Sequence, residues 1–297
     1  MKNDWKTQMK ANASLVEEAL SDYLATPDED LSVLYEAMRY SALSEGKRIR
    51  PFLVIEFCRL FGGTEKEALP FACAIECVHA SSLIHDDMPC MDNDDLRRGK
   101  PTNHVVFGED IALLAGDALI TKGYELAARN SFVSPEIALG ATAMLLKNAG
   151  GFGMMGGQQI DLLGEKNPVD FPLLLKMHAK KTGALIIASA LLGCYAAGIA
   201  SEDDAHMKDA ALYAENIGLA FQVIDDILDA TSDDQTLGKR VHADERMQKT
   251  TFLSEMSIEE AFAYAKQKTE IAVKAIEKYE NSEILTDFAK YLLERKK

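Results

Sequence analysis

Carboxylates are concentrated between residues 79 and 104, where an apolar segment gives way to a strongly acidic one. Five aspartates fall within ten positions and three basic residues follow at once: Asp86, Asp87, Asp92, Asp94, Asp95, Arg97, Arg98 and Lys100. Such a cluster repels itself unless cations are bound. Hard oxygen ligands suit Mg²⁺, which usually bridges protein carboxylates to substrate phosphates. Arginines can bind phosphate oxygens bidentately. The stretch therefore indicates metal-bridged diphosphate chemistry.

Other interpretations of this stretch are open. Acidic runs are commonly solvated loops. An EF-hand starting at Asp92 fails, because a ligand position falls on Leu96 and the obligatory glycine position on Arg97. A His-Asp phosphohydrolase would rest on two adjacent residues, His85 and Asp86, which is weak evidence.

A second acidic motif lies about 130 residues further on, within the apolar stretch 217–228. Asp225 and Asp229 are four residues apart, so both carboxylates lie on one face of a helix. Burying carboxylates among apolar side chains costs several kcal/mol without a cation. Two acidic walls facing each other across a cavity could hold several Mg²⁺ ions around one diphosphate.

Almost every segment has helical periodicity, and no segment alternates convincingly with period two. We expect one all-α domain over residues 1–297, with long helices around a central cavity. Pro51 is predicted to start a helix that stops at Gly62. The predicted helices are 4–25, 31–45, 52–61, 65–88, 108–130, 135–149, 157–164, 171–182, 183–200, 203–230, 257–279 and 282–295, with a polar loop at 231–250.

The chain has 297 residues, of which 32 are Lys or Arg and 47 are Asp or Glu, for a net charge of −15. This charge argues against nucleic acid or an anionic membrane as the main partner. An odd number of scattered cysteines, five, is typical of reduced thiols in a cytoplasmic protein. The N-terminus leads into no apolar run, so we expect no signal peptide. The most apolar segment, 183–200, is expected to be a buried helix, and we expect no stable membrane anchor.

Together the two acidic motifs resemble those of trans-prenyl diphosphate synthases, most closely the farnesyl/geranylgeranyl diphosphate synthase group. Further signatures of that family occur in order along nearly the whole chain. They are Gly46-Lys47-Arg48-Ile49-Arg50-Pro51, Gly156-Gly157-Gln158, Lys181-Thr182-Gly183, Phe221-Gln222, Gly238-Lys239, Asp244 and Lys249-Thr250-Thr251-Phe252. The resemblance implies an all-α isoprenoid-synthase fold and a homodimer.

The resemblance also implies a reaction: isopentenyl diphosphate condenses head to tail with an allylic diphosphate (dimethylallyl, geranyl or farnesyl) after Mg²⁺-assisted ionisation. Three Mg²⁺ ions are implied, with Mn²⁺ as a substitute. Their ligands would be Asp86, Asp87, Asp92, Asp225 and Asp229. The allylic diphosphate and the developing cation would be contacted by Arg97, Lys181, Thr182, Gln222, Lys239 and Lys249, among which the catalytic group is Lys181, Thr182, Gln222 and Lys239.

The isopentenyl diphosphate pocket of the family is metal-free and basic, and its residues match Lys47, Arg50, His79 and Arg98. In the family the departing diphosphate takes the proton. Outside these positions we expect Arg48, Lys180 and Arg240 to be surface charges. We expect solvated or structural roles for His85, His104, His178, His206 and His242. The basic end, Arg295 to Lys297, is expected either to close over the isopentenyl site or to fray.

Product length depends on the helix that ends at Asp86, because a five-carbon unit is about as long as one helical turn, ~5.4 Å. One turn before Asp86 stand Ser81 and Ser82. Family members that stop at fifteen carbons generally carry a large aromatic at the Ser81 position. Serine cannot block a tunnel, so geranylgeranyl diphosphate is favoured over farnesyl diphosphate. Cys77, Val78 or the 108–130 helix would then form a deeper floor.

Two competing functions share this fold. A terpene cyclase or squalene-type synthase needs no isopentenyl diphosphate pocket, whereas residues 46–51 and Arg97-Arg98 suggest one. A non-catalytic partner subunit predicts eroded acidic motifs, and both motifs are intact.

Overall fold

The structure is a computed structural model, and it describes residues 4–165, 167, 169–231 and 250–295. The first half contains α1 (Trp5–Tyr23), α2 (Ser32–Ala42), α3 (Ile49–Leu60), α4 (Glu65–Asp86), α5 (Asn103–Phe107), α6 (Glu109–Ala128) and α7 (Pro135–Ala149). The second half contains α8 (Met154–Gly164), α9 (Phe171–His178), α10 (Ala184–Ala196), α11 (Ala205–Thr231), α12 (Ile258–Ile276) and α13 (Glu283–Glu294). The expected all-α class is confirmed.

The centre of the molecule is built from helices that are apolar on every side. In α4, side chains from Ala68 to Ile84 are buried around the whole circumference, and α10 is buried in the same way. A helix that is hydrophobic all round belongs in a core. One described helix, α4, is long and apolar enough to cross a membrane by length and composition, and most of it is buried inside the protein. The main hydrophobic cluster extends from α1 to α13.

Local signals set the helix ends. Thr64 and Glu67 form a capping box at the start of α4, as Ser257 and Glu260 do for α12. The prediction that Pro51 starts a helix was wrong, because α3 begins at Ile49. Proline is tolerated anywhere in the first turn, where the backbone N–H groups have no partner within the helix.

Two predicted segments differ from the structure in kind. The predicted 108–130 helix is preceded by a separate short helix, α5, and Gly108 stands between the two. The predicted 171–182 helix ends as α-helix at His178 and continues as a π-helical turn, Ala179–Gly183. Such turns are rare and are frequently found at functional sites.

A small hairpin, which periodicity did not predict, follows the first acidic motif. Strand β1 (Leu96–Arg97) pairs antiparallel with β2 (Lys100–Pro101). Arg98 and Gly99 connect them, with φ of 55° and 77°, as in the turns that favour glycine in two-residue hairpin loops. Strands of two residues are too short to show an alternating pattern.

Candidate active site

The first acidic motif is held together by its backbone. After α4 ends, the chain turns back so that the Asp92 N–H donates to the Asp86 carbonyl at 2.9 Å, and the Asp94 N–H donates to the Asp87 carbonyl at 3.2 Å. The pKa of the Asp86 carboxyl is raised to about 6, chiefly by burial; Lys181 opposes the rise and Asp92 contributes to it. The electrostatics at Asp86 therefore favour an added cation.

Asp87 points to a different partner. Both of its carboxylate oxygens accept hydrogen bonds from Arg97 Nε at 2.8 Å, and Arg97 Nη2 lies 2.6 Å from Oδ1. The Asp87 side chain is buried, and burial raises its pKa while Arg97 lowers it. Asp87 thus holds the guanidinium of Arg97 through a bidentate contact, and its predicted role as a metal ligand stays a prediction.

The second acidic motif lies on α11, as its spacing predicted. Asp225 pairs with Arg295, and Asp226 Oδ2 accepts a hydrogen bond from the Phe252 N–H at 2.8 Å. Asp229 is buried, and its Oδ1 atom has no hydrogen-bond partner among the described residues. A buried carboxylate oxygen of this kind needs a cation or a donor.

These carboxylates suit Mg²⁺ bound together with a diphosphate. Within the described ranges, no three His, Cys, Asp or Glu side chains are grouped closely enough to hold a metal ion by themselves. Mg²⁺ usually binds one or two carboxylates and completes its shell with waters and phosphate oxygens. The raised pKa of Asp86 and the unsatisfied oxygen of Asp229 both fit such a site, because a bound cation would stabilise each carboxylate.

Lys181 lies on the π-helical turn and is anchored by a residue that the sequence analysis missed. Its Nζ lies 2.6 Å from Oδ2 of Asp161, a buried carboxylate on α8. The turn itself is packed against Gly157, where a Cβ atom would lie 2.1 Å from the backbone nitrogen of Lys181. Only glycine permits this approach between α8 and the turn. Thr182 is half-buried on the same turn.

Gln222 also has an unpredicted partner. The Nδ1 atom of His178 lies 3.0 Å from Gln222 Oε1, and the imidazole stacks on Phe252 with ring centroids 5.1 Å apart. Burial lowers the pKa of His178 to about 4, although the bond to Gln222 opposes this. His178 is therefore neutral at pH 7 and donates through Nδ1. The expected structural role of His178 thus includes a hydrogen bond to a predicted site residue.

A cluster of basic side chains, half-buried at Arg50 and His79 and exposed at Lys47 and Arg98, stands where the isopentenyl site was predicted. Arg50 Nη1 lies 3.2 Å from His79 Nε2, and Arg50 Nε is buried without a hydrogen-bond partner in the part of the chain that the structure describes. Burial lowers the pKa of Arg50 to about 10 and holds that of His79 well below its usual value. Arg98 donates to the Glu45 carbonyl beside this cluster. Burial lowers the pKa of Lys47, as does Arg295.

Arg48 was expected at the surface, and that expectation was wrong. Its side chain is buried, with Nη1 2.6 Å from Glu76 and Nε 3.1 Å from Glu17. The Ser44 carbonyl accepts from Nη2 at 2.7 Å. The buried carboxylate of Glu76 in an apolar helix required such a partner. Arg48 therefore fixes the loop that carries Lys47 and the start of α3, where Arg50 lies.

The remaining predictions fall on two kinds of position. Several predicted residues lie outside the described residues, namely Lys239, Arg240, Asp244, Lys249, Lys296 and Lys297.

The predicted chain-length residues lie on α4, where Ser81 is buried and Ser82 donates to the His79 carbonyl at 2.8 Å. Two turns before Ser81, α4 and α6 touch: a Cβ on Gly123 would lie 2.7 Å from the Ala74 carbonyl oxygen. The predicted chain-length roles stay predictions.

Comparison with known proteins identifies the class. A family model described as polyprenyl synthetase matches residues 31–291. The chain therefore belongs to the polyprenyl synthetase family and is a prenyltransferase.

Three known proteins are similar over nearly the whole chain. Geranylgeranyl pyrophosphate synthase 7 of Arabidopsis thaliana is 42% identical over 98% of this chain and 84% of its own length. The apo structure of an FPP/GFPP synthase from Zymomonas mobilis is 36% identical, with a TM-score of 0.87 over 97% of this chain and 98% of that one. A geranyltransferase from Helicobacter pylori, solved with magnesium and isoprenyl diphosphate, is 31% identical, with a TM-score of 0.84 over 99% and 98%.

Proposed function

We propose that this protein condenses isopentenyl diphosphate with allylic diphosphates and releases a short all-trans prenyl diphosphate. The observation that carries the proposal is that Lys181 lies on a π-helical turn packed against α11, the helix of the second acidic motif, while its charge acts on Asp86 of the first motif. Its charge also acts on His178, which binds Gln222 about one turn before Asp225. A departing diphosphate would be met there by metal-binding aspartates and a lysine.

Asp86, Asp92, Asp225 and Asp229 would hold Mg²⁺, and we propose three ions with Mn²⁺ as a substitute. When bound, the ions neutralise charge that develops on the departing diphosphate. Lys181, held by Asp161, would contact that diphosphate directly. Arg97, oriented by Asp87, would bind it from the hairpin side. Neutral His178 keeps Gln222 in place without adding a positive charge beside the allylic cation.

Isopentenyl diphosphate would occupy the cluster of Lys47, Arg50, His79 and Arg98. Several positive charges around the buried, unsatisfied Nε of Arg50 favour an anion there without a metal ion. A second diphosphate pocket supports a condensation rather than a cyclisation, because a cyclase binds one diphosphate.

We propose geranylgeranyl diphosphate as the main product and farnesyl diphosphate as the alternative. The small side chain of Ser81 supports the longer product, as does the name of the Arabidopsis relative. The experiment is mass spectrometry of products formed from geranyl diphosphate with excess isopentenyl diphosphate and Mg²⁺. A twenty-carbon product supports the proposal, and full turnover in excess EDTA would refute the metal mechanism.

A homodimer is proposed from the apolar surface of α5, α6 and α7. Large apolar side chains are exposed on these neighbouring helices, namely Val105, Val106, Leu113, Leu114, Leu139 and Leu146. A single chain has a mass of 32.6 kDa, and light scattering coupled to gel filtration should give twice that value. We also propose a cytoplasmic location, which the five free cysteines support.

A further inference from the structure

Arg295, which follows α13, is bound to the second acidic motif. Its Nη2 atom donates to Asp225 Oδ1 at 2.5 Å and to the Phe221 carbonyl at 3.0 Å. The guanidinium carbon lies 4.0 Å from the centroid of the Phe221 ring. The Arg295 side chain is only 5% exposed, whereas that of Asp225 is 38% exposed. The carboxylate is thus reachable from solvent on one side and neutralised from the protein side on the other.

The hydrogen bonding of the buried Arg295 side chain is incomplete. The Nε atom of Arg295 is buried without a hydrogen-bond partner among the described residues. A buried donor left unsatisfied costs about 1–3 kcal/mol, so Arg295 is not bound as tightly as its burial would suggest. Both partners also act on Lys47, whose pKa is lowered by burial and by Arg295 and raised by Asp225.

We propose that Arg295 is a resident counter-ion of Asp225, which is displaced when Mg²⁺ and a diphosphate load the second acidic motif. The inference rests on the proposed function, because it takes Asp225 as a metal ligand. A guanidinium and a metal ion on one carboxylate repel each other at contact distance. Loading the metal therefore releases Arg295, and the end of α13 loses one of its attachments.

A built-in reporter lies on the same helix. Trp5, the single tryptophan of the chain, has its ring centroid 4.3 Å from that of Tyr291 and 6.1 Å from that of Phe288. Tyr291 precedes Arg295 by four residues, about one helical turn. Release of Arg295 should change the surroundings of Trp5 and hence its emission spectrum.

The test is calorimetry of Mg²⁺ with inorganic pyrophosphate on the full chain, its Arg295→Gln variant and Lys290→Gln, a matched exposed cation on α13. If Arg295 competes with the metal, Arg295→Gln should lower the Kd by about fivefold or more, a typical coupling between two ligands. Lys290→Gln should stay within about twofold, because a distant exposed charge is screened. Pyrophosphate with Mg²⁺ should shift Trp5 emission in the parent chain, and Arg295→Gln should show the shifted emission from the start.

Equal or weaker binding by Arg295→Gln would overturn the proposal. Asp225→Asn provides a second test. It removes the charge that holds Arg295, so Trp5 should show the shifted emission without metal. Unshifted emission in this variant would also count against the proposal. Failure of the proposed function looks different: the parent chain would not bind Mg²⁺ with pyrophosphate at all.

Discussion

The anchoring of Lys181 by Asp161 leads to a quantitative prediction. Changing Asp161 to Asn keeps the side-chain volume and removes the charge that lies 2.6 Å from the Lys181 ammonium. The Asp161 side chain is 10% exposed and that of Lys181 is 26% exposed, so the lysine can regain part of its hydration when the pair is broken. A hydrogen bond to a charged group is worth about 1.5–3 kcal/mol.

If that energy is what holds the ammonium at the leaving diphosphate, kcat should fall roughly ten- to hundredfold, at about 1.36 kcal/mol per factor of ten. The assay is steady-state kinetics with geranyl diphosphate varied at saturating isopentenyl diphosphate, and then the reverse. We expect kcat/KM for geranyl diphosphate to fall, with the KM for isopentenyl diphosphate unchanged, because Arg50 and His79 are untouched.

Asp170→Asn is the matched control. Asp170 caps α9 by accepting from the Leu173 N–H at 2.9 Å, and asparagine caps a helix equally well. Unchanged kcat in Asp161→Asn would refute the reasoning and leave Asp161 as a purely structural partner. A loss shared equally by both substrates would point instead to a disturbed fold, which a thermal melt would detect.

Three further predictions concern single side chains. The pKa of about 6 at Asp86 means that protons compete with Mg²⁺ for this carboxylate. The Mg²⁺ affinity measured by calorimetry should therefore fall about tenfold per pH unit below pH 6 and level off above it. A flat profile would exclude Asp86 as a ligand. Arg98→Gln should raise mainly the KM for isopentenyl diphosphate, and an equal rise for both substrates would argue against separate pockets. Ser81→Tyr should shift product from twenty to fifteen carbons by mass spectrometry, because a buried aromatic cannot share volume with the prenyl tail; parent enzyme that releases only fifteen carbons would contradict the premise.

The sequence predicted the helical class and both acidic motifs because period and spacing are local properties. Asp225 and Asp229 share a helix face by arithmetic alone. The π-helical turn at 179–183 could not be read in the same way, since its residues continue an ordinary helical pattern. The turn packs tightly against Gly157 from a different helix, a contact that helical periodicity does not reveal.

Asp161 could have been found from the sequence. It stands among Ile160, Leu162 and Leu163, and the argument that a carboxylate in an apolar helix needs a cation applies to it as it does to Asp225. The same argument at Glu76 would have predicted a buried partner, which the structure identifies as Arg48. The identity of each partner, in contrast, depends on how helices pack, and residue spacing alone does not contain it.

Each acidic motif opens with two adjacent aspartates, and the structure assigns the two members different surroundings. Asp87 binds Arg97 through both oxygens, and Asp226 accepts from the Phe252 backbone. Their neighbours have different partners: burial raises the pKa of Asp86 while Lys181 lowers it, and Asp225 pairs with Arg295. Adjacent residues on a helix point about 100° apart, so the two carboxylates of a pair diverge. We therefore propose that the two aspartates of each pair have different roles: Asp86 and Asp225 would face the metal and diphosphate, whereas Asp87 and Asp226 hold Arg97 and the backbone at Phe252 in place.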